Sequence, residues 1–449
     1  MSENRNKLGT MPIPRLVANV SLPLMVSMLV QSLYNIVDGI FVARISTEAL
    51  TATSLAYPMQ LVMIAVSVGT GVGVNALLSR RLGQRDAKGA SAAATNGLLL
   101  SLLCTVVFMG IGLTCLPAFF RIFTQDAALA ALGEEYLSIC MLFCLGIFMA
   151  TMGERLLQAT GNTFASMLAQ SFGAVINIVL DPILIFGWLG LPAMGIRGAA
   201  IATVIGQWGA AAAALLLNHY KNREVHFDFR GFRPDAAVIG LIYKVGAPTI
   251  VVQMTSSLML IGMNKLLLPF SAIAVAVFGV YYKLQTFVYM PVSGLAQGLI
   301  PIVGYNLGAR RIDRARQAYR LAAVVAAIIM AAGTLVFELF PEWLLSLYNA
   351  DAEMLRLGVP ALRIIGATFV PMSFTVVTGF ACSGAGSGLA NMVGALLRQL
   401  VVLLPVAWLL ARFSGVDAVW FAFWASELVA AAVAALFAKR FFGRRAEAK

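Results

Sequence analysis

Two carboxylates lie inside long apolar stretches of this chain, where a charged group is energetically unfavourable. Asp38 lies near the end of the first apolar stretch, and Asp181 lies in a later one, directly before Pro182. A carboxylate in a membrane helix costs about 2.5–3.5 kcal/mol on insertion scales, so such residues usually face protein or water and have a function. These two acids are therefore candidates for an ion-binding site.

Neighbouring residues add polar ligands to this candidate site. Asn177 is four residues before Asp181 and shares its helix face. If the first and fifth spans run outward and the sixth runs inward, Asp38, Asn177, Asp181 and Thr203 all lie in the outer half of the membrane. Carboxylate, amide and hydroxyl oxygens suit Na⁺, whereas two carboxylates held together away from water can load and unload a proton. The residue types leave Na⁺ and H⁺ both open, and capping of helix ends by the acids is the structural alternative.

The composition of the chain requires a membrane environment. Of its 449 residues, 60% are hydrophobic and 12% are charged, and the mean hydropathy is +0.87. Soluble domains are about 25% charged, and a membrane-spanning helix needs about 20 apolar residues. About twelve such stretches begin near Leu16, Leu50, Ala92, Gly133, Ser166, Gly195, Val238, Ser271, Ala318, Leu355, Asn391 and Val416.

The basic residues alternate between loops. The net charge is +12, and Lys and Arg cluster before the first apolar stretch and in every second loop after it, whereas the intervening loops carry few cations. This pattern places both termini in the cytoplasm and accounts for the positive charge without nucleic acid. The five cysteines lie in or beside apolar stretches with no metal-ligand spacing, which is typical of buried small residues.

The sequence contains one internal duplication. Leu82-Gly83-Gln84-Arg85 matches Leu307-Gly308-Ala309-Arg310, an offset of 225 residues (82 to 307). The same offset pairs Pro23 with Pro248, Gly69 with Gly294, Gly73 with Gly298, and Gly161 with Gly386. An ungapped match over such a length indicates that one half was copied from the other.

The duplication predicts the domain organisation. Each half has an even number of spans, so both enter the membrane from the same side, related by a pseudo-two-fold axis along the membrane normal. We therefore predict an all-α integral membrane protein of about twelve transmembrane helices in two six-helix lobes. The N-lobe covers 1–217 and carries the cation site, 218–236 is a cytoplasmic inter-lobe loop, and the C-lobe covers 237–449.

Several motifs resemble the multidrug and toxic compound extrusion family over nearly the whole chain. They are Leu33-Tyr34-Asn35-Ile36-Val37-Asp38, the Leu82-Gly83 and Leu307-Gly308 loops, Gln158-Ala159-Thr160-Gly161-Asn162, and Gly195-Ile196-Arg197-Gly198-Ala199-Ala200-Ile201-Ala202-Thr203. In addition, Tyr281-Tyr282-Lys283-Leu284-Gln285 with Met290-Pro291 is similar to a bacterial branch close to the staphylococcal multidrug exporter.

The resemblance implies roles for particular residues. The cation site of the family's DNA-damage-inducible type corresponds to Asp38, Asn177, Asp181 and Thr203. Residues implied beside that site are Tyr34, Tyr136 and Pro23, the last being where the first span bends. The acidic residues that another type carries in spans seven and ten are absent here, which favours a site in the first half.

Soft and aromatic side chains are candidates for a drug-binding cavity, because aromatic faces hold organic cations and methionine adapts to varied shapes. They are Met59, Met63, Phe148, Met254, Met259, Tyr281, Tyr282, Phe287 and Met290, and the cation Lys283 is a further candidate among them. Core or lipid-facing packing is the alternative for each. Lys283, Arg363 and Glu427 are further charges within spans, either in one ion-paired network or, for Lys283, in the cavity wall. Arg398 lies near the predicted cytoplasmic end of span 11, where it can extend its charge towards water.

The function that follows is secondary active transport across the bacterial inner (cytoplasmic) membrane. We expect a multi-pass antiporter that exports lipophilic and cationic drugs in exchange for Na⁺ or H⁺, by alternating access of two lobes. We expect it to act as a monomer in the lipid bilayer, with no organic cofactor and no nucleic-acid partner.

Other functions fit this sequence less well. A lipid-linked saccharide flippase of a related fold is the alternative, since Lys283 and Arg363 can favour an anionic pyrophosphate. An enzyme is disfavoured because the two histidines, His219 and His226, are expected in a loop and no nucleophile–base motif is present.

Overall fold

The computed structural model describes residues 6–222, 224–225, 234–348 and 350–443. Within these ranges the protein is helical and contains no β-strand. Ten helices among the described residues are long and apolar enough to cross a membrane, and two pairs of helices meet the same criterion together while bent by 48° and 47°. With each bent pair taken as one span there are twelve, which confirms the all-helical membrane prediction.

We number the spans 1–12 in chain order. Spans 1–6 are Ile13–Ala43, Thr47–Gly83, Ala87–Thr114, the bent pair Ala127–Leu142 and Leu145–Ala159, Thr163–Phe186, and Ile196–Lys221. Spans 7–12 are Ala236–Leu267, Ala272–Gly308, Ile312–Leu339, the bent pair Ala352–Gly366 and Phe369–Gly384, Leu389–Ser414, and Val416–Phe442. Shorter helical pieces are Lys7–Thr10, Leu116–Phe123, Trp188–Gly190 and Pro341–Ser346.

The duplication seen in the sequence is present in the backbone. Spans 2 and 8 both have 37 residues and begin at 47 and 272, and spans 3 and 9 both have 28 residues and begin at 87 and 312. Spans 2 and 8 each start at a serine N-cap, Ser46 and Ser271, whose side chain accepts a hydrogen bond from a backbone N–H three residues on. The turns that follow these spans repeat as well, since Arg85 and Arg310 have φ values of 59° and 58°.

The chain forms two compact units. The N-unit is Val26–Ile250, and the C-unit is Met1–Met25 with Val251–Lys449. These units differ from the predicted lobes 1–217 and 237–449. The N-unit includes the first part of span 7, and the C-unit includes the first part of span 1. The boundaries fall just after Pro23 and Pro248. A proline removes one helical hydrogen bond, so the two parts of one helix can pack in different units.

Glycines allow the exchanged segments to pack closely inside each unit. In the N-unit, a Cβ on Gly69 of span 2 would lie 2.8 Å from the carbonyl oxygen of Gly246 on span 7. In the C-unit, a Cβ on Gly294 of span 8 would lie 2.6 Å from the Met25 Cα on span 1. Gly69 and Gly294 are repeat partners, so the same small residue makes the same close approach possible in both halves.

The predicted inter-lobe loop is shorter than 218–236. Span 6 continues to Lys221 and span 7 begins at Ala236, so His219 is helical rather than in a loop. His226 lies in the stretch 226–233, which is outside the described residues, as are the terminal residues 1–5 and 444–449.

Candidate functional site

The two candidate acids meet inside the N-unit. Asp38 on span 1 and Asp181 on span 5 lie within hydrogen-bonding reach of each other. Asp181 is fully buried, and the Asp38 Oδ1 atom is buried without a hydrogen-bond partner among the described residues. An ionised carboxylate has no donor, so a hydrogen bond between the two requires a proton on one of them. If both are ionised, the adjacent charges require a bound cation.

Asn177 connects Asp181 to span 6. With its amide in one orientation, Nδ2 is 3.5 Å from Asp181 Oδ1 and 3.3 Å from Thr203 Oγ1. Turned over, Nδ2 donates to Asp181 Oδ2 over 3.0 Å and the amide oxygen accepts from the Thr203 backbone N–H over 3.0 Å. We assign the second orientation, because it satisfies both ends of the amide. Asn177 therefore holds the Asp181 carboxylate in place.

A glycine crossing brings spans 5 and 6 close enough for these bonds. A Cβ on Gly173 would lie 2.6 Å from the Gly206 carbonyl oxygen, and a Cβ on Gly206 would lie 2.8 Å from the Gly173 carbonyl oxygen. The backbones thus touch one turn before Asn177 and one turn after Thr203. This contact sets the distance between the two helices at the site.

Span 1 is held against span 5 by a second polar contact. Gln170 Nε2 donates to Gln31 Oε1 over 2.7 Å. Gln31 lies two turns before Asp38 on the same face of span 1, so this bond keeps that face turned towards Asp181. Pro23, implied beside the site by the resemblance, belongs to the C-unit, and its place near the site stays a prediction.

Aromatic residues border the acids. The Tyr34 side chain lies close to Thr203, Asp38 and Asp181. Tyr136 is buried on span 4, and its hydroxyl accepts a hydrogen bond from Gln60 Nε2 over 3.3 Å. The same Gln60 nitrogen is 3.7 Å from Cys140 Sγ. The N-unit therefore gathers polar groups from spans 1, 2, 4, 5 and 6 in one region.

Sequence reasoning missed the neutral members of this set. Gln31, Gln60, Gln170 and the crossing glycines carry no charge, so they do not stand out in an apolar span. A usable signal was present for two of them: Gln31 and Gln170 each precede a site residue by seven positions (38 and 177), which places them on the same helix face.

The predicted cavity residues divide by burial. Met63, Phe148, Met259 and Tyr281 are packed in the apolar core of their own unit. The rest are partly buried or exposed: Met59, Met254, Tyr282, Lys283, Phe287 and Met290. Assignment of these residues to a drug-binding cavity stays a prediction.

The other intramembrane charges do not form a single network. Lys283 Nζ lies 5.8 Å from the centre of the Tyr348 ring. The Arg363 Nε donates to the Glu338 carbonyl oxygen over 3.3 Å. Glu427 pairs with Arg398, so Arg398 does not extend its charge towards water.

The chain is similar to known transporters along nearly its full length. The MatE family model matches residues 23–183 and 248–409, two stretches that begin at the repeat-related prolines. A protein of Shewanella oneidensis described as an FAD transporter is 25% identical over 92% of each chain. The multidrug export protein MepA of Staphylococcus haemolyticus is 25% identical over 92% of this chain and 90% of its own. A solved structure described as the outward-facing conformation of a multidrug resistance MATE family transporter has a TM-score of 0.91 at 27% identity and covers 100% of this chain and 99% of that one.

Proposed function

Since the chain belongs to the multidrug and toxic compound extrusion (MatE) family, we propose that it exports lipophilic and cationic compounds in exchange for Na⁺ or H⁺. The chain is a multi-pass helical membrane protein. Its similarity to MepA and to a multidrug resistance MATE structure supports export of small molecules rather than flipping of lipid-linked saccharides.

The contact between Asp38 and Asp181 is the observation that carries the coupling proposal. Two carboxylates within hydrogen-bonding reach of each other and largely removed from water are stable only with a shared proton or a bound cation. A site of this kind changes charge when its ion leaves. Release of the ion therefore favours a different arrangement of spans 1, 5 and 6, in which the carboxylates are separated.

The coupling to export is a linkage between two ligands. The ion stabilises the arrangement in which Asp38 and Asp181 are together, and the exported compound stabilises the other access state of the same protein. Each ligand shifts the equilibrium only by the difference in its affinity for the two states. Asn177 and Thr203 contribute by fixing Asp181 in the ion-bound arrangement.

We propose the bacterial inner membrane as the location, with both termini in the cytoplasm and a monomer as the working form. The support is the clustering of Lys and Arg in alternate loops, which follows the positive-inside rule. A flavin nucleotide is the second candidate substrate, because the Shewanella relative is described as an FAD transporter.

Asp38→Asn tests the coupling site. In proteoliposomes with a Na⁺ or an H⁺ gradient imposed separately, we expect the wild type to export a cationic dye with one of the two gradients, and Asp38→Asn to lose that export. Asp417→Asn, an exposed acid of the C-unit, is the matched control and should export normally. Retained gradient-driven export by Asp38→Asn would contradict the coupling role, and export of FAD but not dye would select the second substrate.

A further inference from the structure

A second pair of buried opposite charges lies in the C-unit. The Arg398 Nε on span 11 is 3.6 Å from the Glu427 Oε1 on span 12, and the two side chains are 12% and 4% exposed. Span 8 adds two tyrosines: Tyr281 is buried beside Glu427, and Tyr289 lies near Arg398. Three spans of this unit therefore converge on one acid and one base.

The pair is open. Arg–carboxylate pairs that close as a fork have contacts of about 2.7–2.9 Å, shorter than the 3.6 Å found here. The atoms that would complete the fork, Arg398 Nη1 and Glu427 Oε2, are buried and have no hydrogen-bond partner in the described part of the chain. A buried ion pair with a purely structural role is stabilising only when its remaining donors and acceptors are also hydrogen-bonded. The pair found here leaves two of them unsatisfied, so it contributes little to helix packing.

Local backbone geometry places Arg398 in this position. Leu397–Val401 is a π-helical turn, in which the Val402 N–H donates to the Leu397 carbonyl over 3.2 Å. Such turns often occur at functional sites.

The repeat relates this pair to the acid site of the N-unit. With the offset of 225 residues, Arg398 corresponds to Gly173 at the crossing of spans 5 and 6, and Glu427 corresponds to Ala202, the neighbour of Thr203. The offset still holds in this region, because Gly190 and Gly415 have φ values of 82° and 83°. The second half thus carries a charge pair between the spans that hold Asp181 and Thr203 in the first half.

We propose that Glu427 is a second proton-binding site, located in the C-unit and paired with Arg398; this inference rests on the proposed ion-coupled export. The proton forms an O–H bond on the bare Oε2 atom and leaves the carboxyl group neutral. Arg398 keeps its charge. Proton release restores the carboxylate and its attraction to the guanidinium.

The surroundings select a proton rather than a metal cation. The guanidinium of Arg398 repels any further cation placed at the carboxylate, whereas a proton simply neutralises the acid. From span 8, Tyr281 faces Glu427, and on its own helix the neighbouring Ser426 hydroxyl donates to the Phe423 carbonyl. The span 10 segment Phe369–Gly384 contains no charged residue.

Infrared difference spectroscopy of the full-length protein in liposomes tests the site directly. Spectra are taken between acid and alkaline pH, with and without Na⁺, for the wild type, Glu427→Gln and the control Glu342→Gln, an exposed acid of the same unit. We expect a protonated-carboxyl band that Glu427→Gln loses, that Glu342→Gln keeps, and that Na⁺ does not change. The double variant Arg398→Gln/Glu427→Gln removes both charges together and should lose the same band even if the single variant folds poorly.

The outcomes separate this proposal from the coupling role of Asp38. If Glu427→Gln and the double variant both show the wild-type spectrum, the pair is structural and the proposal is overturned. If Asp38→Asn exports normally while Glu427→Gln still loses its band, the coupling role proposed for Asp38 fails and the second proton site stands.

Discussion

Replacement of Gly206 by alanine tests whether the backbone crossing of spans 5 and 6 controls the acid site. The added Cβ would lie 2.8 Å from the Gly173 carbonyl oxygen and 3.0 Å from Asn177 Cβ. Ordinary contacts between such atoms are about 3.5 Å, so the two helices must separate by roughly half an ångström at this point. Both neighbours are backbone or backbone-proximal atoms, which cannot rotate away.

Two opposing terms set the effect on stability. Overpacking costs about 1–3 kcal/mol, and replacing a helical glycine with alanine returns up to about 1 kcal/mol. The net loss in the free energy of unfolding is therefore between about 0 and 3 kcal/mol. The effect on ion affinity is expected to be larger than the effect on stability, because Asn177 is displaced from Thr203 and Asp181 while all three stay buried.

The change in ion affinity follows from those hydrogen bonds. Leaving a buried donor or acceptor without its partner costs about 1–3 kcal/mol, which corresponds to a roughly five- to 150-fold weaker ion affinity. The measurement is the half-saturating Na⁺ or H⁺ concentration for dye export in proteoliposomes. Gly39→Ala is the control, because it neighbours Asp38 and its Cβ would meet nothing within 4 Å.

Two results would refute this reasoning. One is a Gly206→Ala protein whose half-saturating ion concentration equals that of the wild type. The other is a Gly39→Ala protein whose ion affinity falls as much as that of Gly206→Ala, because the loss would then come from replacing any helical glycine near the acids rather than from the crossing.

Two further predictions concern contacts made by span 1 and by the segment before it. Gln170→Leu should lower the free energy of unfolding by about 0.5–1.5 kcal/mol, because the partly buried Gln31 amide loses its partner. The double variant Gln31→Leu/Gln170→Leu should recover most of this loss, and equal losses in the single and double variants would show that the hydrogen bond is not the cause. Arg311→Ala removes a 2.7 Å hydrogen bond to the Gly9 carbonyl oxygen, which is worth about 1.5–3 kcal/mol for a charged donor. Proteolysis of the segment before span 1 should therefore become faster. Cleavage at the wild-type rate, or equally fast cleavage of the control Arg310→Ala at an exposed position, would contradict this prediction.

Much of the fold could be predicted because it depends on properties that are local in sequence. Hydropathy over about 20 residues locates a span, and the offset of 225 residues identifies the duplication without any knowledge of contacts. The same local signals repeat in the backbone: Ser46 and Ser271 cap equivalent helices. Asp38 and Asp181 also stand out by themselves, since a carboxylate in an apolar stretch is rare.

The exchange of segments between units could not be predicted from the two sequence halves. It depends on the close approach of Gly69 to span 7 and of Gly294 to span 1. Glycine in a membrane helix indicates close packing, yet the sequence does not say which helix approaches.

The sequence by itself determined that this is a duplicated helical membrane protein with two acids in apolar spans, because composition, hydropathy and repeats are sums over neighbouring residues. Only the tertiary structure decided that Asp38 reaches Asp181, that Asn177 orients Asp181 through Thr203, and that Arg398 turns to Glu427. The physical reason is helix rotation: which face of a span meets which neighbour is set by the packing of side chains that are far apart in the chain.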